Sequence, residues 1–297
     1  MSERGFLAFL VVDGALAGCV YALVALVFVV VYKASRMMNF AVGEWVTFAA
    51  RLVAYGTHGL GLGLAGGLGV GCAGMAALAV AFNATVVRRL IGRPLISLIM
   101  VTIGLGTLMR GAAALVFAGV PADLPRAVVL DPLVIAGVPL SPNRLVAAVI
   151  AVVSIAVLGG FFNGTRTGLA LRAVAGDQQV AMAVGIDLRR YFAITWVVAG
   201  VLSVLAGTLW TVVSGGGFGL PLLGFKVFPI VIVGGLDSIL GTVVGALVVG
   251  VVESLAAGYV DPVAGSGFSQ VSAYLVLVAA LLLRPHGLFG HRDIRRL

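Results

Sequence analysis

The chain alternates between long apolar runs and short polar, mostly basic interruptions. A helix of about 20 apolar residues spans a bilayer, and the sequence supplies such runs one after another. Phe6–Val31 comes first and is closed by Tyr32–Lys33–Ala34–Ser35–Arg36. A shorter, interrupted run, Gly43–Tyr55, follows, and then Gly59–Phe82. The basic stretch Val87–Arg93 is expected as a loop before a run from Pro94 to Ala118. A proline-rich loop, residues 119–143, precedes Leu145–Phe162, and the polar segment 163–191 leads into Phe192–Val213. Gly215–Gly219 reads as a flexible turn. The run Phe225–Ala257 is broken at Gly234–Gly235–Leu236–Asp237–Ser238, and Val271–Leu283 is the last pass. The pattern predicts an all-α polytopic membrane protein with about eight or nine transmembrane or half-membrane helices, forming one transmembrane domain over residues 1–297.

Composition agrees with a lipid solvent. Hydrophobic residues make up 61% of 297 positions and charged residues 10%, whereas soluble domains carry roughly 25% charged residues. The net charge of +8 does not point to nucleic acid, because the basic residues sit in short clusters between apolar runs. Such clusters set topology. Placing Lys33, Arg36, Arg88–Arg93, segment 163–191 and the tail from Arg284 on one side gathers 13 of the 19 Lys and Arg residues there. That side is expected to be the cytoplasm, with an external N-terminus and an internal C-terminus. The parity then requires the broken run to cross twice, as two short crossings meeting near Asp237, or to re-enter. The N-terminal run is too long for a signal h-region and lacks a small-residue cleavage site.

Catalytic chemistry finds no foothold. No phosphate-binding glycine loop, H-E-x-x-H helix or nucleophile elbow occurs, and Cys19 and Cys72 read as isolated small buried residues rather than a disulfide or metal pair. No cofactor or metal is expected in this chain, so any ATP-driven work would need an ATPase on another chain.

Glycine clusters instead. Gly59, Gly63, Gly67 and Gly71 recur every four residues, and Gly241 and Gly245 repeat the spacing. Such a stripe lets a neighbouring helix approach closely, either within the chain or at a substrate-lining or dimer face. Asn39–Phe40–Ala41–Val42–Gly43–Glu44 and Phe228–Gly235 echo each other beside unusually short hydrophobic segments, the signature of an inverted repeat with a transport site near the midplane. Charges in apolar segments face protein or water. Glu44 either lines a path or pairs with Arg36 or Lys33, and Arg51 either partners Glu44 or reaches outward. Arg110 is expected to face the bundle. Lys226 and Asp237 flank the first half of the broken run, and Glu253 follows. The candidates for a substrate path are Asn39, Phe40, Gly43, Glu44, Thr102, Lys226, Phe228, Gly234 and Gly235.

Within segment 163–191, Leu169–Met182 is rich in helix formers, and Gly185 can end the helix. Leu171, Val174, Val180 and Met182 give it an apolar side, and Arg172, Asp177, Gln178 and Gln179 a polar one. It is either a helix lying flat on the membrane surface or a docking helix for a cytoplasmic motor protein.

Several segments, in order, resemble the permease subunit of branched-chain amino acid ABC importers, the leucine/isoleucine/valine type. Gly18, Tyr21–Ala22–Leu23, Val31–Tyr32–Lys33, Asn39–Phe40–Ala41 and Gly43–Glu44 open the likeness. Arg93–Pro94, Met100, Thr102–Ile103–Gly104, Gly168, Arg172–Ala173 and Gly185–Ile186 continue it. Ala199–Gly200, Ala206–Gly207, Lys226, Phe228–Pro229, Gly234–Gly235, Ser238, Gly241 and Leu283 to Gly290 complete it. The resemblance implies a bacterial-type inner-membrane protein that imports branched-chain or related small amino acids by alternating access. It implies that the loop around Asp177–Gly185 is a coupling helix, with Arg172, Asp177, Gln178, Gln179, Ala181 and Gly185 meeting an ATP-binding subunit. It further implies two ABC ATPase subunits that bind ATP and Mg, a second related permease chain making a heterodimer rather than a homodimer, and an external substrate-binding protein. Val42 stands where many relatives carry Gln, and Arg51 where they carry apolar residues. Urea, short amides or another amino acid are the alternative cargoes. A stand-alone channel or ion-coupled carrier is the alternative of another class.

Overall fold

The computed structural model describes residues 3–90, 93–125, 133–135, 138–215, 219–265, 267–284 and 287–289. The expected basic tail beyond Phe289, part of loop 119–143 and the middle of the Gly215–Gly219 turn lie outside the described residues.

Thirteen helices follow one another in the described residues. The first is α1 (Glu3–Ser35), and α2 (Val42–Ala54) is short and extended by a π-helical turn over Tyr55–Gly59. Then α3 (Gly63–Phe82) runs through a second π turn, Asn83–Val87, into α4 (Arg88–Leu90), and α5 spans Leu95–Val116. In the loop between α5 and α6, β1 (Leu133–Ile135) pairs antiparallel with β2 (Val138–Leu140), Leu133 opposite Leu140. The long α6 (Pro142–Gly164) starts with proline at a position where the missing N–H costs nothing. Two short helices, α7 (Arg166–Gly176) and α8 (Gln178–Ala183), precede α9 (Leu188–Ser214). The chain ends in α10 (Gly219–Gly234), α11 (Ile239–Leu255), a π turn over Ala256–Val260, α12 (Asp261–Ala264) and α13 (Phe268–Leu283). Among the described residues six stretches are long and apolar enough to cross a bilayer, with Leu222–Gly234 and Phe268–Leu283 as shorter apolar helices. The chain is an all-α polytopic membrane protein.

Three expectations change. The Arg88–Arg89 cluster is not a loop, because the π turn carries the helix on to Leu90. The broken run does break at Gly235, whose φ of 107° is open to glycine, but only its first half is short. The glycine stripe survives only in part. Gly59 lies in the π turn and Gly63 starts α3 at φ 69°, while Gly67 and Gly71 meet Val53 and Thr57 of the α2 arm. Cys19 and Cys72 are free and half-buried.

Helix packing carries an inverted repeat. α1 lies against α11 as α9 lies against α3; α2 packs on α3 and α5 as α10 packs on α11 and α13. α1 and α9 also touch, and α2 meets α10 at the centre. The directions are opposed. α1 ends, and α9 begins, beside the α7–α8 loop, where Gln178 Nε2 donates to Ser35 O (3.4 Å) and Asn83 Nδ2 to Arg189 O (3.3 Å). The register differs from the sequence echo. Residues 39–44 lead into α2, whereas 228–235 close α10, so the two stretches are not equivalent. They meet instead, Phe40 stacked on Phe228 with ring centroids 4.8 Å apart.

Shape rather than hydrophobicity holds such helices together in lipid. Trp45 of α2, Phe82 of α3 and Trp196 of α9 interlock edge to face, with centroid distances of 4.8–6.1 Å. Both tryptophans are fully buried, which fixes the depth at which α2 starts.

Candidate functional site

After Ser35 the chain leaves the helix, with Arg36 at φ 55°, and runs as non-helical backbone until α2 begins. Irregular backbone at membrane depth needs partners, and the sequence provides them locally. Asn39 Oδ1 accepts from Ala41 N at 3.0 Å, and Thr102 of α5 accepts from Phe40 N at 3.3 Å and reaches Met38 O at 3.4 Å. Thr102 lies about 10 Å along α5 from its start, so α2 begins inside the span.

Beside this start lies a cavity of about 260 Å³. Phe40, Gly43 and Glu44 line it from the α2 side, Ile103, Gly106, Thr107 and Arg110 from α5, and Gly224, Phe225 and Phe228 from α10. The backbones approach closely here: a Cβ on Gly224 would stand 2.5 Å from the Gly43 Cα. Glu44 forms an ion pair with Arg110, whose Nε donates to Glu44 Oε1 at 3.0 Å. The Glu44 side chain is 10% exposed and that of Arg110 65%.

Four of the nine path candidates line this cavity: Phe40, Gly43, Glu44 and Phe228. Asn39 and Thr102 brace the non-helical backbone beneath it. Lys226 instead pairs with Glu253 of α11, its Nζ 5.3 Å from the centre of the Tyr21 ring. Gly234 and Gly235 belong to a helix crossing, where Gly234 meets the Gly241 backbone and its O accepts from Phe289 N at 3.1 Å. Neither Arg36 nor Lys33 partners Glu44. Arg36 Nη2 donates to Ala175 O at 3.5 Å, and Lys33 lies 5.9 Å from the Phe162 ring centre. Arg51 does not partner Glu44 either; its Nη1 donates to Val120 O at 3.1 Å. The other six lining residues, Ile103, Gly106, Thr107, Arg110, Gly224 and Phe225, are not among the path candidates, Arg110 being expected only to face the bundle. The four-residue spacing of Gly106 and Arg110, one face of one helix, was the available signal.

The expected single helix over 169–182 is two. Asp177 breaks it with extended backbone (φ −152°, ψ 115°), and its Oδ1 accepts from Gln179 N (2.7 Å) and Val180 N (3.0 Å). An aspartate at a helix start satisfies amides that have no partner within the helix, and Gly176 before it lowers the cost of the break. Gly185, at φ 87°, closes the turn after α8, and Ile186 N bonds back to Ala181 O at 3.0 Å. The apolar side divides accordingly. Leu171 and Val174 are buried against the body with Ala181, while Val180, Met182 and Val184 are exposed. Arg172 donates to Asn163 Oδ1 at 3.3 Å, and Gln179 is exposed.

A model of the family described as branched-chain amino acid transport system / permease component matches residues 10–283. The chain is 28% identical over 302 residues to the high-affinity branched-chain amino acid transport system permease protein BraD of Pseudomonas aeruginosa, covering 96% of each. To the corresponding LivH protein of Escherichia coli it is 28% identical over 324 residues, covering all of both. Among solved structures, PsaBC from Streptococcus pneumoniae in complex with Fab aligns over 92% of this chain and 91% of that one, at 16% identity and a TM-score of 0.47.

Proposed function

The chain belongs to the family of permease components of branched-chain amino acid transport systems, and from that premise we propose that it forms part of the transmembrane path of an ATP-driven ABC importer for branched-chain or related small amino acids. Members of this family are transport components rather than enzymes. Two ATPase subunits binding ATP and Mg drive the cycle, a second related permease chain completes the path as a heterodimer, and an external binding protein delivers the cargo. The α7–α8 end is cytoplasmic, which puts the C-terminus inside and the N-terminus outside an inner membrane. Lys33, Arg36, Arg88, Arg89, Arg166, Arg172, Arg189 and Arg190 gather at that end, in keeping with the distribution of basic residues that sets topology.

The observation that carries the reading is the link between α8 and the cavity. The exposed Val180, Met182 and Val184 offer an apolar tip for a groove on an ATPase. Behind the tip, Gln178 and Ala175 hold the end of α1 through Ser35 and Arg36. The chain runs from there straight to Asn39, Phe40, Gly43 and Glu44. A displacement of α8 is therefore delivered to the cavity wall through few residues, with Arg36 in a backbone region that non-glycine residues enter at a cost. Arg172, Asp177, Gln179, Ala181 and Gly185 shape and present the tip.

Purification from native membranes in mild detergent, read by mass spectrometry, tests this. ATP-binding subunits should co-purify with the wild type and be lost with Val180→Asp/Met182→Asp. A chain that retains no ATPase yet still transports in liposomes would be a channel or carrier.

A further inference from the structure

We propose that the Glu44–Arg110 pair recognises the charged end of a free amino acid, its carboxylate on Arg110 and its ammonium on Glu44, while the aromatic wall of the cavity takes its side chain. This rests on the permease reading and names the chemistry the cavity selects.

Glu44 and Arg110 are the charged residues that line the cavity, and they are of opposite sign and in contact. The rest of the wall is mainly apolar, with Phe40, Ile103, Phe225 and Phe228 as its large side chains. A zwitterionic amino acid with an aliphatic side chain carries the complementary pattern: two opposite charges on one carbon and an apolar group beyond. A guanidinium fork matches a carboxylate, and a carboxylate accepts from an ammonium group. The cavity, at about 260 Å³, lies below the roughly 300–1,000 Å³ of pockets for drug-sized ligands, which suits a small metabolite.

The pair also explains how the cavity tolerates two charges between turnovers. An unpaired charge in an apolar span is costly, and here each charge neutralises the other. Inserting a zwitterion exchanges one ion pair for two, and the site keeps zero net charge throughout. The two partners differ in freedom. Glu44 is fixed in the first turn of α2 and almost enclosed, whereas the Arg110 side chain is largely exposed on a long stem. Arg110 is thus the arm that can swing from Glu44 to an incoming carboxylate. A neutral amide or urea offers neither charge and cannot open the pair on these terms.

Occupancy of the cavity can be read directly. A full-length chain carrying Cys19→Ser, Cys72→Ser and Thr107→Cys, assembled with its partners in membranes, is labelled with a maleimide in the presence of leucine, leucinamide, isovalerate or urea. We expect leucine alone to slow labelling strongly, with Arg110→Met or Glu44→Gln weakening that protection by about tenfold or more, as for the loss of a charge-assisted contact. Arg110→Lys should retain part of it, which separates recognition from misfolding. ATP-driven uptake of leucine by reconstituted transporter is measured alongside. Equal protection by leucinamide and isovalerate, or full leucine protection in both neutralised variants, would overturn the inference while ATP-driven uptake upholds the permease reading. Absence of ATP-driven uptake of any of the four solutes would strike the permease reading itself.

Discussion

Gly14 of α1 and Gly250 of α11 lie back to back: a Cβ on Gly14 would stand 2.6 Å from the Gly250 carbonyl oxygen, and one on Gly250 would stand 2.5 Å from that of Gly14. One turn further on, Gly18 meets Ala246 in the same way. In lipid this approach of two backbones replaces the hydrophobic effect as the source of association. Gly14→Leu should therefore force α1 and α11 apart and cost about 1–3 kcal/mol or more, as overpacking does. Thermal unfolding in detergent checks it, with Gly160→Leu as the control, since a Cβ on Gly160 meets nothing within 4 Å. Equal melting of the two variants would show that the α1–α11 seam can yield.

Much of this architecture is legible in the sequence, because lipid imposes a length and an apolarity on each crossing. The break at Gly234–Ser238, the turn at Gly185 and the short α2 arm can all be read from glycine and polar residues in otherwise apolar runs. The Glu44–Arg110 pair was not legible, since its members stand 66 residues apart and Lys33 and Arg36 are nearer along the chain. The split of the 169–182 helix was hidden for another reason. Propensity favours one helix, and only the side-chain caps of Asp177 show that the backbone turns there.

Those caps lead to a prediction about coupling. Asp177→Ala removes two hydrogen bonds to α8 amides, about 1 kcal/mol of local stability, and Gly185→Val forces a β-branched residue into a backbone that L side chains avoid. Neither residue lies in the membrane span, so insertion and solubilised yield should stay near wild type. Uptake per ATP hydrolysed in proteoliposomes should fall severalfold in both. Wild-type stoichiometry in both variants would show that α8 does not transmit the ATPase stroke.

Arg51 holds the loop that follows α5 rather than the cavity wall. Its hydrogen bond to Val120 O, with His58 Nε2 3.0 Å from Asp123 O, ties residues 120–123 to the α2 arm. Arg51→Leu should raise amide hydrogen exchange in residues 119–125 by about tenfold, as for a lost contact of roughly 1.4 kcal/mol, with leucine protection of the cavity unchanged. A loss of that protection without faster loop exchange would instead tie Arg51 to the cavity.

Lys226 is a path candidate by sequence and a structural residue by geometry, and a double substitution separates the two. Lys226 and Glu253 pair between α10 and α11, with side chains 18% and 16% exposed and the Tyr21 ring close by. Removing one partner leaves an uncompensated charge in the span, which costs about 3–5 kcal/mol at buried sites, whereas replacing both with apolar residues is often neutral or better. Glu253→Leu alone should therefore lower the melting temperature markedly, and Lys226→Met/Glu253→Leu should restore it. If the pair only binds α10 to α11, uptake recovers along with stability. Recovery of melting without recovery of uptake would instead show that the cargo, or the moving helix, uses the Lys226 charge, and the path would then extend from the Glu44–Arg110 cavity towards α11.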